Sequence, residues 1–403
     1  MSAPARNYEN LDEAVPNSRW LEEKAQKSNR RSKLIVIGSL LTVVVLIAVG
    51  VALGVTLSKK SSSNNSAASS PPGTNTADPS NFQKDPALKQ SFYGIAYTPA
   101  GSQLPECGNS LDQVIEDIQL LSQLTTNIRL YGADCNQSSL VLAAIEMTKV
   151  NMNVYLGNYP AINDNGTAYT RQKLEIQTAI QQYGVDHVAG VTVGNEFILD
   201  YVTDQGSEDP NGTAGDEAAA QLIPYIQDTI SMLQSMNLGK TIPVGNADAG
   251  SYFNTKVLEA VDYGKKISFC SFFMKKIHPW FANQTIDNAA GWTANFFQTT
   301  NVAAAEALSN NPKKNIAETG WPTDTSQLNY NPNDGPSLAS VPNLQIFLDT
   351  FVCQANTNGT GYFFFEYFDE TWKATTYGGV EGYWGLFDSN RQLKNITIPD
   401  CSV

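Results

Sequence analysis

Two glutamates each follow a short apolar run that is typical of a buried strand. Glu196 follows the run 191–195, and Glu318 follows the run 315–317. A charged side chain at the end of a buried strand needs a partner or a chemical task, because burying an unpaired charge is costly. Two carboxyl groups that face each other across one cleft could perform acid–base or nucleophilic chemistry, one donating a proton while the other attacks or activates water.

Strand-like and helix-like segments alternate from about residue 88 and must position these glutamates. The strand-like runs lie at 91–97, 127–131, 153–157, 187–194, 242–245, 267–277, 315–317 and 361–365. Segments with helical spacing follow the first seven of them, at 111–124, 139–149, 170–183, 217–236, 254–261, 286–309 and 343–355. The alternation indicates a parallel sheet, and eight repeats predict an α/β fold of the (β/α)8 TIM-barrel type over residues 88–403.

An open, doubly wound sheet is the alternative fold. Such sheets usually carry a glycine-rich phosphate loop after their first strand. Tyr97-Thr98-Pro99 stands at that position here. The barrel is therefore the favoured architecture.

A barrel predicts where functional side chains lie, because catalytic groups in this fold follow the C-terminal ends of the strands. Glu196 would follow the fourth strand and Glu318 the seventh. The other strand ends carry polar or aromatic residues: Tyr97, Arg129, Tyr131, Asn158, Tyr159, Asn246, Asp248, His278, Trp280 and Glu366. Polar residues could also stand at strand ends simply because the strands reach the surface there. That explanation accounts for single residues better than for a complete ring of them. We therefore expect a ring of binding groups around one mouth.

Composition limits the partners. The net charge is −13, whereas a nucleic-acid-binding protein should present a basic face; a neutral carbohydrate is compatible with this charge. The chain has only two histidines, His187 and His278, which excludes a histidine-rich metal site, and its five cysteines are too scattered for a zinc module. We expect no metal, no cofactor and no nucleic-acid partner, and a monomeric protein.

Two facing carboxyl groups in different environments are the minimum that glycoside hydrolysis requires. Asn195, directly before Glu196, could donate a hydrogen bond to a sugar 2-hydroxyl. Trp280, Trp321 and Trp372 offer flat apolar faces on which sugar rings can stack.

Several motifs make this pattern more specific. They are Gly94-Ile95-Ala96-Tyr97, Ile128-Arg129-Leu130-Tyr131, Val193-Gly194-Asn195-Glu196, Ile277-His278-Pro279-Trp280-Phe281, Glu318-Thr319-Gly320-Trp321-Pro322, Phe368-Asp369-Glu370-Thr371-Trp372-Lys373 and Gly382-Tyr383-Trp384-Gly385-Leu386-Phe387-Asp388. In type and order they resemble glycoside hydrolase family 17, the β-1,3-glucanases with a (β/α)8 fold. The resemblance covers about residues 92–398, and it implies that Glu196 is the proton donor and Glu318 the nucleophile, with retention at the anomeric carbon.

The resemblance also implies that Glu370, Lys373 and Glu381 line the cleft. One departure is Lys275-Lys276, before Ile277-His278, where small or asparagine-like residues are expected. The predicted substrate-binding residues are Tyr97, Arg129, Tyr131, Asn195, His278, Trp280, Trp321, Glu370 and Lys373.

The function expected from these residues is a retaining endo-1,3-β-glucan hydrolase that acts on cell-wall glucan. A β-1,3-glucanosyltransferase would use the same residues, with an acceptor sugar in place of water. A non-catalytic protein that binds wall glucan is a further alternative, although both glutamates and Asn195 are intact.

The N-terminal region has a different composition. Residues 1–33 are polar and predict a disordered cytoplasmic tail. Residues 34–57 carry no charge and predict a transmembrane signal-anchor helix, since about 20 apolar residues span a bilayer. Basic residues crowd its N-terminal side, so the C-terminal bulk should face the cell wall: a single-pass type II plasma-membrane protein, resembling membrane-bound fungal glucan endo-1,3-β-glucosidases. Residues 58–87, rich in Ser, Asn and Pro, predict a disordered stalk.

Acceptor triplets for N-glycosylation support passage through the secretory pathway. They occur at Asn64, Asn136, Asn165, Asn211, Asn283, Asn358 and Asn395.

The cysteines fit an oxidising compartment. Cys107 with Cys135, and Cys353 with Cys401, are candidate disulfides, although the sequence does not decide the pairing. Cys270 lies in an apolar strand-like run and is expected to be a buried free thiol.

Overall fold

The computed structural model describes residues 73–261, 272–309, 311–326 and 333–403. The predicted tail (1–33), the predicted transmembrane helix (34–57), the first part of the predicted stalk (58–72), Asn64 and Cys270 lie outside these residues. Within the described part of the chain, no helix combines the length and the apolar character needed to cross a bilayer.

Eight parallel strands form the centre of the fold. They are β1 (Ile95–Ala96), β2 (Asn127–Arg129), β3 (Asn153–Asn158), β4 (Val188–Asn195), β5 (Val244–Ala249), β6 (Phe272–Lys276), β7 (Lys313–Thr319) and β8 (Tyr362–Phe364). Each strand pairs with the next, and β8 pairs with β1, so the sheet closes into a barrel. The expected TIM-like (β/α) barrel is confirmed. The open-sheet alternative is wrong, because an open sheet would leave two strand edges unpaired.

The α-helices of six or more residues in the described ranges lie between the strands and, in one case, after the last strand. They are α1 (Leu111–Leu121), α2 (Gln137–Thr148), α3 (Thr167–Tyr183), α4 (Phe197–Asp204), α5 (Thr213–Ser235), α6 (Thr255–Ala260), α7 (Ile286–Phe296), α8 (Val341–Thr357) and α9 (Thr371–Thr376). The Ser110 side chain caps α1 by accepting from the Gln113 backbone N–H, which would otherwise lack a partner. The short α4 was not expected from the sequence, and it begins directly after Glu196.

Neighbouring residues of a strand point to opposite faces, which divides the core into two layers. On β3, Val154 belongs to the large core between the strands and the helices. The next residue, Tyr155, packs instead with Ala247, Ala317 and Phe363, a small cluster that fills the barrel interior. The Tyr155 and Phe363 rings lie 5.3 Å apart between centroids, and the two alanines leave room for them.

Tyr97, expected to bind substrate, lies in the core and is 1% exposed. Its hydroxyl donates to Asp117 Oδ2 of α1 at 2.8 Å. The Arg391 guanidinium donates two hydrogen bonds to the same carboxylate, at 2.6 and 3.1 Å. Burial raises the pKa of Asp117, and Arg391 opposes that rise. The network joins the C-terminal segment to α1, so Tyr97 has a packing role.

Residues 73–87 of the predicted stalk pack on α1 and the turn that follows it. The Asn75 backbone N–H donates to Gln119 Oε1 at 2.8 Å, and Gln119 Nε2 donates back to the Asn75 carbonyl at 2.7 Å. Further along, the Asp85 backbone N–H donates to Gln123 Oε1 at 2.7 Å. This differs from the flexible segment that the composition predicts, because two buried glutamine side chains supply partners for its backbone.

The two candidate disulfides are formed, one between Cys107 and Cys135 and the other between Cys353 and Cys401. The first ties the loop after β1 to the loop after β2, at the C-terminal end of the barrel. The second ties the end of the chain to α8.

We predict that Asp117→Asn lowers the free energy of unfolding by about 3 kcal/mol, because it leaves the largely buried Arg391 without its anion. Denaturant unfolding followed by circular dichroism measures the change. The exposed Asp112 on the same helix provides the control: Asp112→Asn should stay within about 0.5 kcal/mol of the original protein. Equal effects of the two substitutions would contradict the structural role of the Asp117 network.

Candidate active site

Glu196 stands at a sharp turn between β4 and α4. Its backbone has φ 56°, in the left-handed region, and its N–H donates to the Ala247 carbonyl of β5 at 3.1 Å. The carboxylate of Asp248 accepts from the backbone N–H groups of Ile198 and Leu199, at 3.0 and 3.3 Å. These contacts fix the start of α4, and the Glu196 side chain remains 28% exposed at the mouth of the barrel.

Glu318 lies in β7 and is 1% exposed. Its Oε1 accepts from Arg129 Nη1 at 2.8 Å, and its Oε2 lies 3.0 Å from Lys276 Nζ and 3.5 Å from His278 Nε2. Burial alone would raise the pKa of this carboxyl. Lys276, His278 and Arg129 nevertheless hold the pKa of Glu318 well below its usual range, so the group is a carboxylate at neutral pH.

Arg129 is fully buried and links three strand ends. Besides Glu318 it donates to Asn195 Oδ1 at 2.8 Å and to the Ala317 carbonyl at 3.3 Å. The Tyr131 ring lies 4.6 Å from its guanidinium carbon. The planar guanidinium thus holds Asn195, which precedes Glu196, and Ala317, which precedes Glu318, in a fixed geometry.

Lys276, at the end of β6, contacts both glutamates. Its Nζ lies 3.1 Å from Glu196 Oε2 and 3.0 Å from Glu318 Oε2, and the side chain is only 12% exposed. Burial acts to lower the pKa of this lysine, but the two carboxylates hold it above its ordinary value. Lys276 is therefore a permanent cation between the two carboxyl groups.

A second ionic group lies after β8. Lys373 Nζ contacts Glu366 Oε2 at 2.7 Å and also pairs with Glu370, which in turn accepts from Trp372 Nε1 at 3.2 Å. Burial and the neighbouring Glu370 carboxylate raise the pKa of Glu366 well above its usual range. Burial thus favours the protonated form of Glu366.

An open cleft of about 730 Å³ runs over these residues. Its lining includes Tyr131, Tyr159, Asn195, Glu196, Asp200, Lys276, Trp372, Lys373, Tyr377 and Glu381. Glu318 and Arg129 lie beneath it, and His278 packs between the Phe365 and Trp384 rings while facing Glu318. The structure thus brings the predicted catalytic pair and most of the predicted binding residues to one place.

Two predicted binding residues besides Tyr97 are packed away from the cleft surface. Trp321 is fully buried, and its Nε1 donates to the Leu338 carbonyl at 2.8 Å. Trp280 is 4% exposed and packs against Phe281. Both rings pack in the hydrophobic core.

Asp200 was missed in the sequence, because the helix that carries it was not expected. It follows Glu196 by one turn of α4 and faces the same cleft. Burial and the Glu196 carboxylate raise the pKa of Asp200 to about 6, while Lys276 opposes the rise. The sequence did contain one signal: Asp200 follows Glu196 by four residues, the spacing that makes two side chains neighbours on a helix.

No group of three or more His, Cys, Asp or Glu residues in the described ranges could hold a metal ion. The cleft has one partly exposed and one buried carboxyl group, a combination suited to proton transfer and nucleophilic attack.

Comparison with known proteins agrees with this geometry. The family model of the BtgE/BtgC glycoside hydrolase domain matches residues 94–385. A probable glucan endo-1,3-β-glucosidase of Aspergillus fumigatus is 36% identical over 341 residues, which is 81% of this chain and 46% of that protein. A putative enzyme of the same name from Aspergillus niger is 37% identical over 78% of this chain and 44% of its own length. The chain thus spans less than half the length of these curated relatives.

A solved structure shows the same fold. The family 17 β-1,3-glucanosyltransferase of Rhizomucor miehei superposes with a TM-score of 0.59 at 27% identity, covering 77% of this chain and 99% of that one. The resemblance to glycoside hydrolase family 17 is confirmed. The chain belongs to the family of the BtgE/BtgC glycoside hydrolase domain.

Proposed function

We propose that this chain is a retaining endo-1,3-β-glucan hydrolase with Glu318 as nucleophile and Glu196 as acid/base. The unequal surroundings of the two carboxyls support this assignment most directly. Glu318 is buried and paired with two cations, which suits a carboxylate that must attack, whereas Glu196 is partly exposed at the cleft, where a leaving group and water can reach it. The substrate is inferred from the names of the Aspergillus relatives and the Rhizomucor miehei enzyme.

The separation of the carboxyls supports retention. Lys276 Nζ lies 3.1 Å from Glu196 Oε2 and 3.0 Å from Glu318 Oε2. These two oxygens therefore lie no more than about 6 Å apart, which is compatible with the spacing of about 5–5.5 Å between the carboxyl groups of retaining enzymes. Such a spacing suits direct attack by Glu318.

The reaction then has two steps. A Glu318 oxygen bonds to the anomeric carbon while the glycosidic bond breaks, and the leaving oxygen takes the bond electrons and the proton of Glu196. In the second step Glu196 removes a proton from water, whose oxygen attacks the same carbon and releases Glu318. The Asn195 amide oxygen accepts from Arg129, so its NH₂ group points away and can donate to a sugar hydroxyl.

The cleft extends beyond the carboxyls, which favours attack inside a chain. A neighbouring depression of about 480 Å³ shares Leu104, Asp134 and Arg171 with the catalytic cleft and reaches the Cys107–Cys135 disulfide. Such a continuous surface can hold several sugar units on one side of the cleaved bond.

A glucanosyltransferase is the second candidate, because the similar Rhizomucor miehei structure is of that activity. In that reaction the acceptor hydroxyl would take the place of water in the second step, and the same depression could hold the acceptor.

We also propose that residues 34–57 anchor the enzyme in the plasma membrane with the barrel facing the cell wall. All six acceptor asparagines within the described residues are exposed, as glycosylation of a folded extracellular domain requires. They are Asn136, Asn165, Asn211, Asn283, Asn358 and Asn395.

Substituting the two glutamates should give different losses. Glu318→Ala should abolish turnover of aryl β-laminaribiosides and of laminarin. Glu196→Ala should lose about 10²–10⁴-fold on laminarin but retain glycosylation by substrates with an activated aryl leaving group, which need no proton. Added azide should restore turnover in Glu196→Ala with a β-glycosyl azide product, as measured by nuclear magnetic resonance.

Glu381→Ala, which removes another cleft carboxyl, is the control and should show no azide rescue. A β-azide product from Glu318→Ala alone would reverse the two roles.

Products from laminarihexaose decide between hydrolysis and transfer. We expect shorter oligosaccharides from the start of the reaction at millimolar substrate, because water has open access to the partly exposed Glu196. Mass spectrometry in ¹⁸O-labelled water should show one heavy oxygen in each new reducing end. Early products longer than six units, without label, would favour the glucanosyltransferase.

Treatment of the natively expressed chain with an N-glycosidase should increase its electrophoretic mobility, and the chain should sediment with membranes. The expected cause is glycans on exposed asparagines and the apolar segment at 34–57. Deleting residues 34–57 behind a cleavable secretion signal is the matched control, which should release a glycosylated protein into the medium. An unglycosylated protein in the soluble fraction would contradict this topology.

A further inference from the structure

Lys276 occupies the space in which the proposed reaction takes place. A retaining enzyme must place the anomeric carbon and the glycosidic oxygen between its nucleophile and its acid. The Lys276 ammonium lies between those two groups, 3.0 Å from Glu318 and 3.1 Å from Glu196. A glucosyl ring and this ammonium cannot fill the same volume.

The free cleft favours a cation at that point. Glu196, Asp200 and Glu381 line the cleft around it, and Glu318 lies beneath. A sugar is neutral, so it cannot replace the charge that the ammonium supplies to these groups. Binding of a sugar must therefore break two short ion pairs, one of them to the buried Glu318, which costs free energy.

We propose that Lys276 is an internal competitor of the substrate, whose ammonium blocks the sugar position in the free enzyme and must withdraw before a glucosyl unit can bind between Glu196 and Glu318. This inference rests on the proposed function, since that function places the sugar there. Asp200 and Glu381 give the ammonium a second position, because both carboxyls line the same cleft and interact electrostatically with Lys276.

The same contact also occupies the proposed acid/base, because Glu196 Oε2 lies 3.1 Å from the Lys276 ammonium. Withdrawal of Lys276 therefore both opens the sugar position and frees this oxygen for the leaving group. Lys276 is a positioning residue in this scheme, acting through Glu196 and Glu318.

A purely structural role predicts a different outcome. Glu318 retains Arg129 at 2.8 Å and His278 at 3.5 Å when Lys276 is absent, so the buried carboxylate keeps a buried cation as a partner. If Lys276 served only to compensate Glu318, removing its charge would destabilise the protein and leave sugar binding unchanged or weaker.

The test compares the full chain with Lys276→Met, which keeps the length of the side chain and removes its charge. Isothermal titration calorimetry with laminaritriose should show binding at least about tenfold tighter in the variant. Initial rates on laminarin should show a matching fall in KM. Lys276→Asn provides a second uncharged variant in case the methionine protein does not fold.

Two lysine variants serve as controls. Lys276→Arg restores a cation at the same place and should bind laminaritriose as weakly as the original chain. Lys373→Met removes a lysine of similar burial from the same cleft, one that pairs with Glu366 and Glu370 instead of the catalytic pair. It should not tighten binding.

Equal or weaker binding by both uncharged variants would overturn the competitor role, even if the chain hydrolyses glucan. Absence of both binding and turnover in every protein would instead refute the proposed function, and the inference with it. Tighter binding by Lys276→Met and Lys276→Asn, without effect in Lys276→Arg, supports the competitor role whichever acceptor the reaction uses.

Discussion

The structure around the cleft depends on one buried charge, the carboxylate of Glu318. At 1% exposure it has almost no water to stabilise it, and burial by itself would favour its neutral form. The fully buried Arg129 compensates for this and also binds Asn195 and the Ala317 carbonyl. The requirement for an internal cation therefore fixes the relative positions of β2, β4 and β7. A barrel core, rigid and close-packed, can maintain such a pair where a surface could not.

The cations of the cleft do not all have the same freedom. Arg129 is held by three hydrogen-bonding partners in the core, and Lys373 is held by Glu366 and Glu370 above the Phe365 ring. Lys276 instead pairs with Glu196 and Glu318, which a substrate would also approach. A flexible stem can carry its ammonium to another carboxyl without disturbing the backbone. Although the chain as a whole is acidic, its cleft contains cations that offset nearby carboxylates. The placement of charges within the cleft therefore matters more than the net charge of the chain.

Aromatic residues divide into two groups that their sequence positions do not distinguish. Trp321 and Trp280 turn into the core, where the indole N–H of Trp321 finds a backbone carbonyl. Trp372 and Tyr377 line the cleft instead and offer faces to a ligand. The two inward rings follow β6 and β7, whereas the two cleft rings belong to α9 and its C-terminal end.

The sequence by itself determined the strand–helix alternation, and with it the barrel and the strand ends at which Glu196 and Glu318 stand. Those features depend on local patterns of apolar residues, which are readable along a chain. It did not show α4, whose first N–H groups are capped by Asp248 of β5, about 50 residues further along the chain. It also could not place Tyr97 in the Asp117 network or Lys276 between the two glutamates. Those positions bring together residues far apart in the sequence, and only closure of the barrel decides which charges share a site.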